Sequence, residues 1–308
     1  MFNLDRLFYP LYEAICEYLV SHQNVDGSFS GCTCPYHDRK RVEKDDFGKT
    51  GISTYILWNL SGIDADRISA VKRNLENYLL AAVQKKGNVT GWSWADNLKP
   101  DFDDTVINYH YFNKKNIVIP ISIDAFMDAN QCNVWTTGGE KKRDDIVQVN
   151  SLLYFSNHDW NRCVSISDEA IEKILLGEVF SDYYVYPRYA LLYHFVMNDG
   201  IKYSSESKII KLTEWIRNEL DMTIDNPIVM LYLCYSAVEL ISTRMREKCK
   251  TLVVNSIKKL VEFDIGVPDT FFFKGPADVD SSNQWLFGGT CLYYSYILNL
   301  LDKAIKLR

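Results

Sequence analysis

Three carboxylates fall within four residues of this chain: Asp101, Asp103 and Asp104, in the run PDFDDTV at the start of an apolar, aromatic-rich helical pattern. Their types and spacing support two uses. As a helix start, Asp101 can cap the free N–H groups while Asp103 and Asp104 complement the positive end of the dipole. In an apolar cavity the same three cannot all ionise. Desolvation and like-charge repulsion keep one protonated near neutral pH, while neighbours anchored by helix N–H groups stay anionic. A carboxylic acid held that way is a Brønsted acid for a difficult protonation. The nearby Trp92, Trp94, Tyr109 and Tyr111 would shield a carbocation with their ring faces.

Other residues carry weaker signals. Asn150 lies mid-helix among Val149, Leu152 and Leu153, so its amide faces either a polar network or a cavity. Cys32, Cys34 and His37 could supply three zinc ligands, but no second Cys/His cluster completes a tetrahedral site. His22, at a helix end, reads as a C-terminal cap. The charge run 38–49 is a solvated loop or a lid offering Arg39, Lys40, Arg41 and Lys49 to a diphosphate. Lys141, Lys142, Arg143 and Arg188 are further cations beside helix starts, each also readable as a solvated surface group. Tyrosines at 183, 184, 186, 193, 232, 235, 293 and 296 recur on the apolar helices, where ordinary packing accounts for most of them. No P-loop, Rossmann glycine pattern, G-x-S-x-G elbow, H-E-x-x-H or D-D-x-x-D motif occurs.

The elements that position these residues are helices. Helical periodicity covers 7–23, 50–60, 64–85, 103–112, 145–156, 167–176, 187–197, 205–220, 227–242, 244–263 and 289–307, with a weaker helix near 121–129. No run alternates cleanly enough to demand a strand. Amphipathic helices (64–85, 167–176, 205–220, 244–263) alternate with helices apolar on most faces (50–60, 145–156, 187–197, 227–242, 289–307). A helix apolar all round must be enclosed, whereas one with a single stripe can face water. The alternation predicts an inner ring of buried helices inside an outer ring, an all-α α6/α6 toroid, expected as one domain over 1–308. A stacked solenoid is disfavoured because no repeat of constant length occurs.

Composition bounds the function. The net charge of −6 gives no basic surface for nucleic acid, and 47% apolar with 24% charged residues is globular. Asp5, Arg6, Glu13 and Glu17 interrupt the apolar N-terminal run, so neither a signal peptide nor a membrane span is read there. Scattered cysteines without a secretory signal fit reduced thiols and a cytoplasmic location.

PDFDDTV resembles the D-x-D-D-T motif of class II terpenoid cyclases, the group containing squalene–hopene cyclase and the cyclising diterpene enzymes. Further likenesses follow in order along the chain. SHQNVDGSF is similar to the Q-x3-G-x-W repeat with Phe29 in place of Trp. The segment 134–155 looks like the family's Trp, Asp and Asn series, at Trp135, Asp144 and Asn150. SDYYVYP resembles its Tyr-Tyr-x-x-Pro element, and NQWLFGGT its closing W-x-x-G element. The resemblance is to the β domain of that family and implies an α/α toroid. It implies Asp103 as the acid, Asp101 and Asp104 as its supports, and Asn150 in the layer around it. With the ring faces and cations read above, the expected substrate-binding set is Asn150, Trp92, Trp94, Tyr109, Trp135, Asp144, Tyr184 and Arg188. The implied activity is protonation-initiated cyclisation of a linear prenyl diphosphate, with Mg2+ screening the diphosphate charge.

Family members place the acid between β and γ domains, and 308 residues make room for β alone, so a homodimer or a partner domain is a further expectation. Cys291 and Tyr293 also depart from the small and Thr residues usual in the last helix. The alternatives are a non-catalytic toroid binding a prenylated ligand or partner enzyme, and an α6/α6 glycosidase using a carboxylate pair such as Asp101 and Asp144.

Overall fold

Helices α2 (Lys49–Leu60), α8 (Pro187–Met197), α10 (Pro227–Arg244) and α12 (Thr290–Lys306) are apolar around most of their circumference and line the interior of the molecule. The computed structural model describes residues 4–35, 43–45, 48–96, 98–121, 123–127, 144–222, 225–244, 247–262, 271–274 and 285–306. In α2 every residue from Thr50 to Leu60 is buried, and in α8 every residue from Ala190 to Val196. The inner ring is completed by α4 (Phe102–Lys114) and by α5 (Asp145–Asn150) with its short continuation α6 (Leu152–Phe155). Contacts run from α2 to α4, α4 to α5, α5 to α8, α8 to α10, α10 to α12 and α12 back to α2, which closes the ring.

Outside it lie α1 (Leu4–His22), α3 (Asp66–Ala81), α7 (Trp160–Leu176), α9 (Glu206–Asp221) and α11 (Glu247–Glu262). Their burial follows a single stripe: Ile68, Val71, Leu75 and Leu79 in α3, and Ile209, Leu212, Ile216 and Leu220 in α9. Residues spaced three and four apart share one face of a helix, which is why these helices tolerate water on the other. The fold is an all-α toroid, as the alternation of helix types predicts. No helix among the described residues is long and apolar enough to cross a membrane.

Helix bounds differ from the periodic pattern where capping overrides it. The 167–176 stripe is the end of a longer helix, α7, which begins at Trp160 because Asp159 accepts the Arg162 N–H at 3.0 Å. The expected 145–156 helix breaks at Ser151, whose Oγ donates to Gln148 O at 2.5 Å; a serine competing for its own turn favours such a break. The weaker helix near 121–129 is a single 3₁₀ turn, Ile123–Phe126.

Strands were not expected, and the structure corrects this. β1 (Gly31–Pro35), β2 (Glu43–Asp45), β5 (Phe271–Lys274) and β6 (Trp285–Gly288) form an antiparallel sheet in the order β2-β1-β6-β5, and β3 (Gln84–Lys86) pairs with β4 (Val89–Gly91). The strands escape periodic reading because they are short and inward-facing on adjacent residues: Phe272 and Phe273 are both buried. β6 runs through Gly289 directly into α12, and Tyr184, three residues before α8, bridges to Phe273. The sheet therefore lies over the end of the ring where inner helices begin.

The turn after α1 is fixed by its own polar contacts. Gln23 Nε2 donates to Gly27 O (2.9 Å) and to Val71 O (3.0 Å), tying the turn after α1 to α3. Gly27 has φ +88°, and a Cβ there would lie 2.5 Å from Asn74 O. His22 Nδ1 donates to Tyr18 O at 2.8 Å and acts as the expected C-terminal cap.

Candidate functional site

The acidic segment enters the ring from the β3–β4 hairpin. Thr105 stitches the two together: its Oγ1 donates to Trp92 O (3.1 Å) and accepts the Trp92 N–H (3.0 Å). That places Asp101 at the N-cap of α4, its Oδ1 accepting the Asp104 N–H and its Oδ2 the Trp94 N–H, both at 2.9 Å. Burial raises Asp101 to about 6 against the opposing pull of these backbone donors. Asp101 therefore caps the helix and remains the easiest of the three to ionise.

Asp104 faces inward, 1% exposed, and no donor among the described residues reaches either carboxyl oxygen. Burial first, then the adjacent Asp101, push its carboxyl well above the ordinary range, so it stays neutral. Asp103, like Asp101, is only part-buried, whereas Asp104 is enclosed. Asp103 Oδ1 accepts from Asn150 Nδ2 at 2.8 Å. Burial, reinforced by Asp144 and Asp101, raises it well above the ordinary range although the Asn150 bond opposes this.

Two phenols stand near Asp103. It pushes up the phenols of Tyr55 on α2 and Tyr184 before α8, after the larger effect of their burial. These two hydroxyls meet at 2.7 Å. Phe273 packs on both, at 5.0 and 5.1 Å between centroids, and Trp94 meets Phe273 edge-on at 4.9 Å. Behind Asn150 stand His194 and Asn198: His194 Nδ1 lies 2.8 Å and Asn198 Nδ2 2.9 Å from Asn150 Oδ1. The His194 ring is 5.0 Å from Trp58 and 5.2 Å from Tyr184.

Of the residues singled out in the sequence, the structure brings together Asp101, Asp103, Asp104, Asn150, Trp94 and Tyr184. Asp144 sits near them as the N-cap of α5, accepting from Ile146 N (2.9 Å) and Val147 N (3.2 Å) on Oδ1 and from Asp182 N (3.2 Å) on Oδ2. The carboxylate pair required of a glycosidase, Asp101 and Asp144, is thus engaged at both ends in helix capping. Trp92 is a packing residue: its indole donates to Leu79 O at 2.6 Å and stacks on Phe112. Tyr109 pairs instead with Tyr154 on α6, at 6.3 Å. Arg188 caps α7, donating to Ile174 O (2.6 Å) and Leu175 O (3.2 Å), with its guanidinium 4.5 Å from the Trp215 ring.

Lys49 pairs with Asp26 at 3.0 Å. Trp135, His37, Arg39, Lys40, Arg41 and 141–143 lie outside the described residues. Tyr55, Trp58, His194, Asn198 and Phe273 were missed. His194 had a signal, a lone imidazole inside an otherwise apolar helix; the others read as ordinary core.

A closed ring of inner helices, with Asp101, Asp103 and Asp104 where α4 enters it and aromatic rings beside them, is an α/α toroid. Among solved structures, ent-copalyl diphosphate synthase from Streptomyces platensis is similar, with a TM-score of 0.63 at 13% identity, over 83% of this chain and 50% of that one. The relation is one of fold, and this chain spans about half the length of that synthase. No protein-family model and no curated protein sequence matches the chain.

Proposed function

We propose that this toroid is a class II type terpene cyclase acting on a linear prenyl diphosphate, with Asp103 as the acid. The observation that carries the reading is the setting of Asp103: a part-buried carboxyl beside Tyr55 and Tyr184, held well above the ordinary range by burial, with Oδ1 accepting from Asn150. Its free Oδ2–H adds to the terminal alkene, whose π electrons form the new C–H bond and leave a tertiary cation. A neighbouring double bond attacks that cation and closes a ring. A C–H proton of the last cation passes to water and restores an alkene, and Asp103, left as the carboxylate by the first step, takes a proton back from solvent.

Each cation in the series needs a surface without nucleophiles. The faces of Tyr55, Trp58, Tyr184 and Phe273 offer negative π density there, at about 0.5–2 kcal/mol per contact. Asp101, anchored by two backbone N–H groups, supplies a fixed negative charge at the rim.

Magnesium has no protein cage in this reading. Among the described residues no three His, Cys, Asp or Glu side chains gather to hold a metal. Mg2+ would arrive as the counter-ion of the diphosphate, and no step runs through it. A second copy or a partner domain would cover the end of the ring beside Asp103.

The test is incubation of purified protein with farnesyl or geranylgeranyl diphosphate, with and without Mg2+. Asp103→Asn should lower cyclisation by about 10²–10⁴-fold, the range expected for loss of a general acid. Equal rates for the two proteins would remove Asp103 from this role. A non-catalytic toroid would bind the prenyl diphosphate and return it unchanged.

A further inference from the structure

The geometry points to His194 as a positioning residue: with Asn198 it locks the Asn150 amide so that Nδ2 faces Asp103 and the acid carries its proton on Oδ2. The inference rests on the reading of Asp103 as the acid, but the lock itself follows from hydrogen-bond direction alone.

The direction is set at the far end of the chain of bonds. Asn198 Nδ2 lies 3.4 Å from Val149 O and 2.9 Å from Asn150 Oδ1. A backbone carbonyl only accepts, so the Asn198 NH₂ must face it; the reversed amide would set oxygen against oxygen. The same NH₂ then requires the oxygen of Asn150 on its side. His194 Nδ1, 2.8 Å from that oxygen, must carry a hydrogen and donate it.

Each step removes an alternative, and the last leaves Asn150 Nδ2 pointing at Asp103 Oδ1, 2.8 Å away. Oδ1 is therefore a permanent acceptor. The proton is left for Oδ2.

Packing keeps the lock from turning over. His194 is fully buried, and Trp58, Tyr184 and Tyr55 meet its ring at 5.0, 5.2 and 6.1 Å. A ring flip would put a carbon where Nδ1 donates. Burial also drives the imidazole down to about 3, so it stays neutral across the working range. Its Nε2 has no partner among the described residues and is sealed from solvent. That geometry suits a donor fixed at Nδ1 better than a base that collects a substrate proton.

A donor to a carboxylate favours the anion, so the lock holds Asp103 lower than its surroundings would. Those surroundings are Asp101 and Asp104 on its own segment, Asp144 from α5, Tyr55 from α2 and Tyr184 before α8. All act to raise it or are raised by it. Releasing Asn150 should therefore move the Asp103 titration upward.

The experiment is an infrared titration of protein carrying ¹³C-labelled aspartate, with Asp103→Asn identifying the Asp103 band. His194→Leu should raise the Asp103 midpoint by about one pH unit, a tenfold change in proton affinity. His194→Asn, whose amide nitrogen occupies nearly the place of Nδ1, should return it to the wild-type value. Asn198→Leu should move it the same way by a smaller amount, which keeps the test available should the histidine variant not fold. In turnover, the alkaline limb of kcat should follow the infrared midpoint, with KM unchanged. An Asp103 band titrating alike in wild type and His194→Leu would overturn the lock. So would an equal shift in the leucine and asparagine variants, because packing alone would explain it. A wild-type protein that cyclises no prenyl diphosphate would instead defeat the cyclase reading, with the infrared result still deciding the lock.

Discussion

The backbone N–H of Trp94 donates to Asp101 Oδ2 at 2.9 Å, so the ring that leans on the sheet is held by the same carboxylate that caps the acid-bearing helix. One side chain thereby sets both the wall and the start of α4. Asp101→Ala should cost about 1–2 kcal/mol from the lost cap. Denaturant unfolding would register it, together with a tryptophan emission shift as the Trp94 segment loosens. Asp101→Asn, which keeps an acceptor oxygen, should lose less.

Asp104 gives the protein an alkaline weakness. Its ordinary pKa is 3.8, and in the fold it is held well above that, so between those values the native state binds a proton that the unfolded chain has lost. Stability therefore falls as pH rises through that window, by up to about 1.4 kcal/mol per pH unit for the proton held. Asp104→Asn copies the neutral acid and should flatten the decline. In urea unfolding the variant should exceed wild type at pH 8 and lose that advantage at pH 4. A constant difference across that range would count against a protonated Asp104.

His194 acts on the opposite limb. Its imidazole, ordinarily near 6.5, is held at about 3, so below 6.5 the unfolded chain binds the extra proton and stability falls with acidification. Between 3.8 and 6.5 the two slopes oppose each other, so wild-type stability should be flattest there and fall on either side. His194→Asn should keep the alkaline decline and lose part of the acid one.

Tyr55 and Tyr184 meet hydroxyl to hydroxyl inside the ring, at 2.7 Å. Removing one hydroxyl leaves the other buried and unpaired, at about 1–3 kcal/mol, while removing both leaves neither. The double variant Tyr55→Phe/Tyr184→Phe should thus be less destabilised than the sum of the single variants. Additive single effects in a thermodynamic cycle would mean the bond contributes nothing net.

Gly51 is required by Trp94. A Cβ at Gly51 would sit 2.1 Å from Trp94 Cε3, whereas one at Gly62 would meet nothing within 4 Å. Gly51→Ala should cost about 1–3 kcal/mol through overpacking and change tryptophan emission. Gly62→Ala should do neither.

Arg188 was a candidate for gripping a diphosphate, and the structure commits it to the end of α7. Arg188→Ala should lower stability by about 1–2 kcal/mol through those lost bonds and the Trp215 contact. Prenyl diphosphate affinity should be unchanged in equilibrium binding. A loss of affinity without a loss of stability would reinstate the diphosphate role.

The ring architecture was readable from sequence because burial of a helix is written in its own residues. Helices α2, α8 and α10 have no polar face and must be enclosed, while α3 and α9 carry one stripe and can stand outside. The acidic start of α4 was equally plain, since capping and dipole effects depend on neighbours in the chain. The sheet was invisible: β1 and β6 pair across roughly 250 residues, and no local period records a partner that far away. Nor could spacing say which carboxyl stays accessible. Only the packed structure turns Asp104 inward, leaves Asp101 and Asp103 part-exposed, and lines up Asn150, His194 and Asn198 from two separate helices behind Asp103. A residue's protonation and hydrogen-bond direction depend on what surrounds it in space, and the chain order holds no record of that.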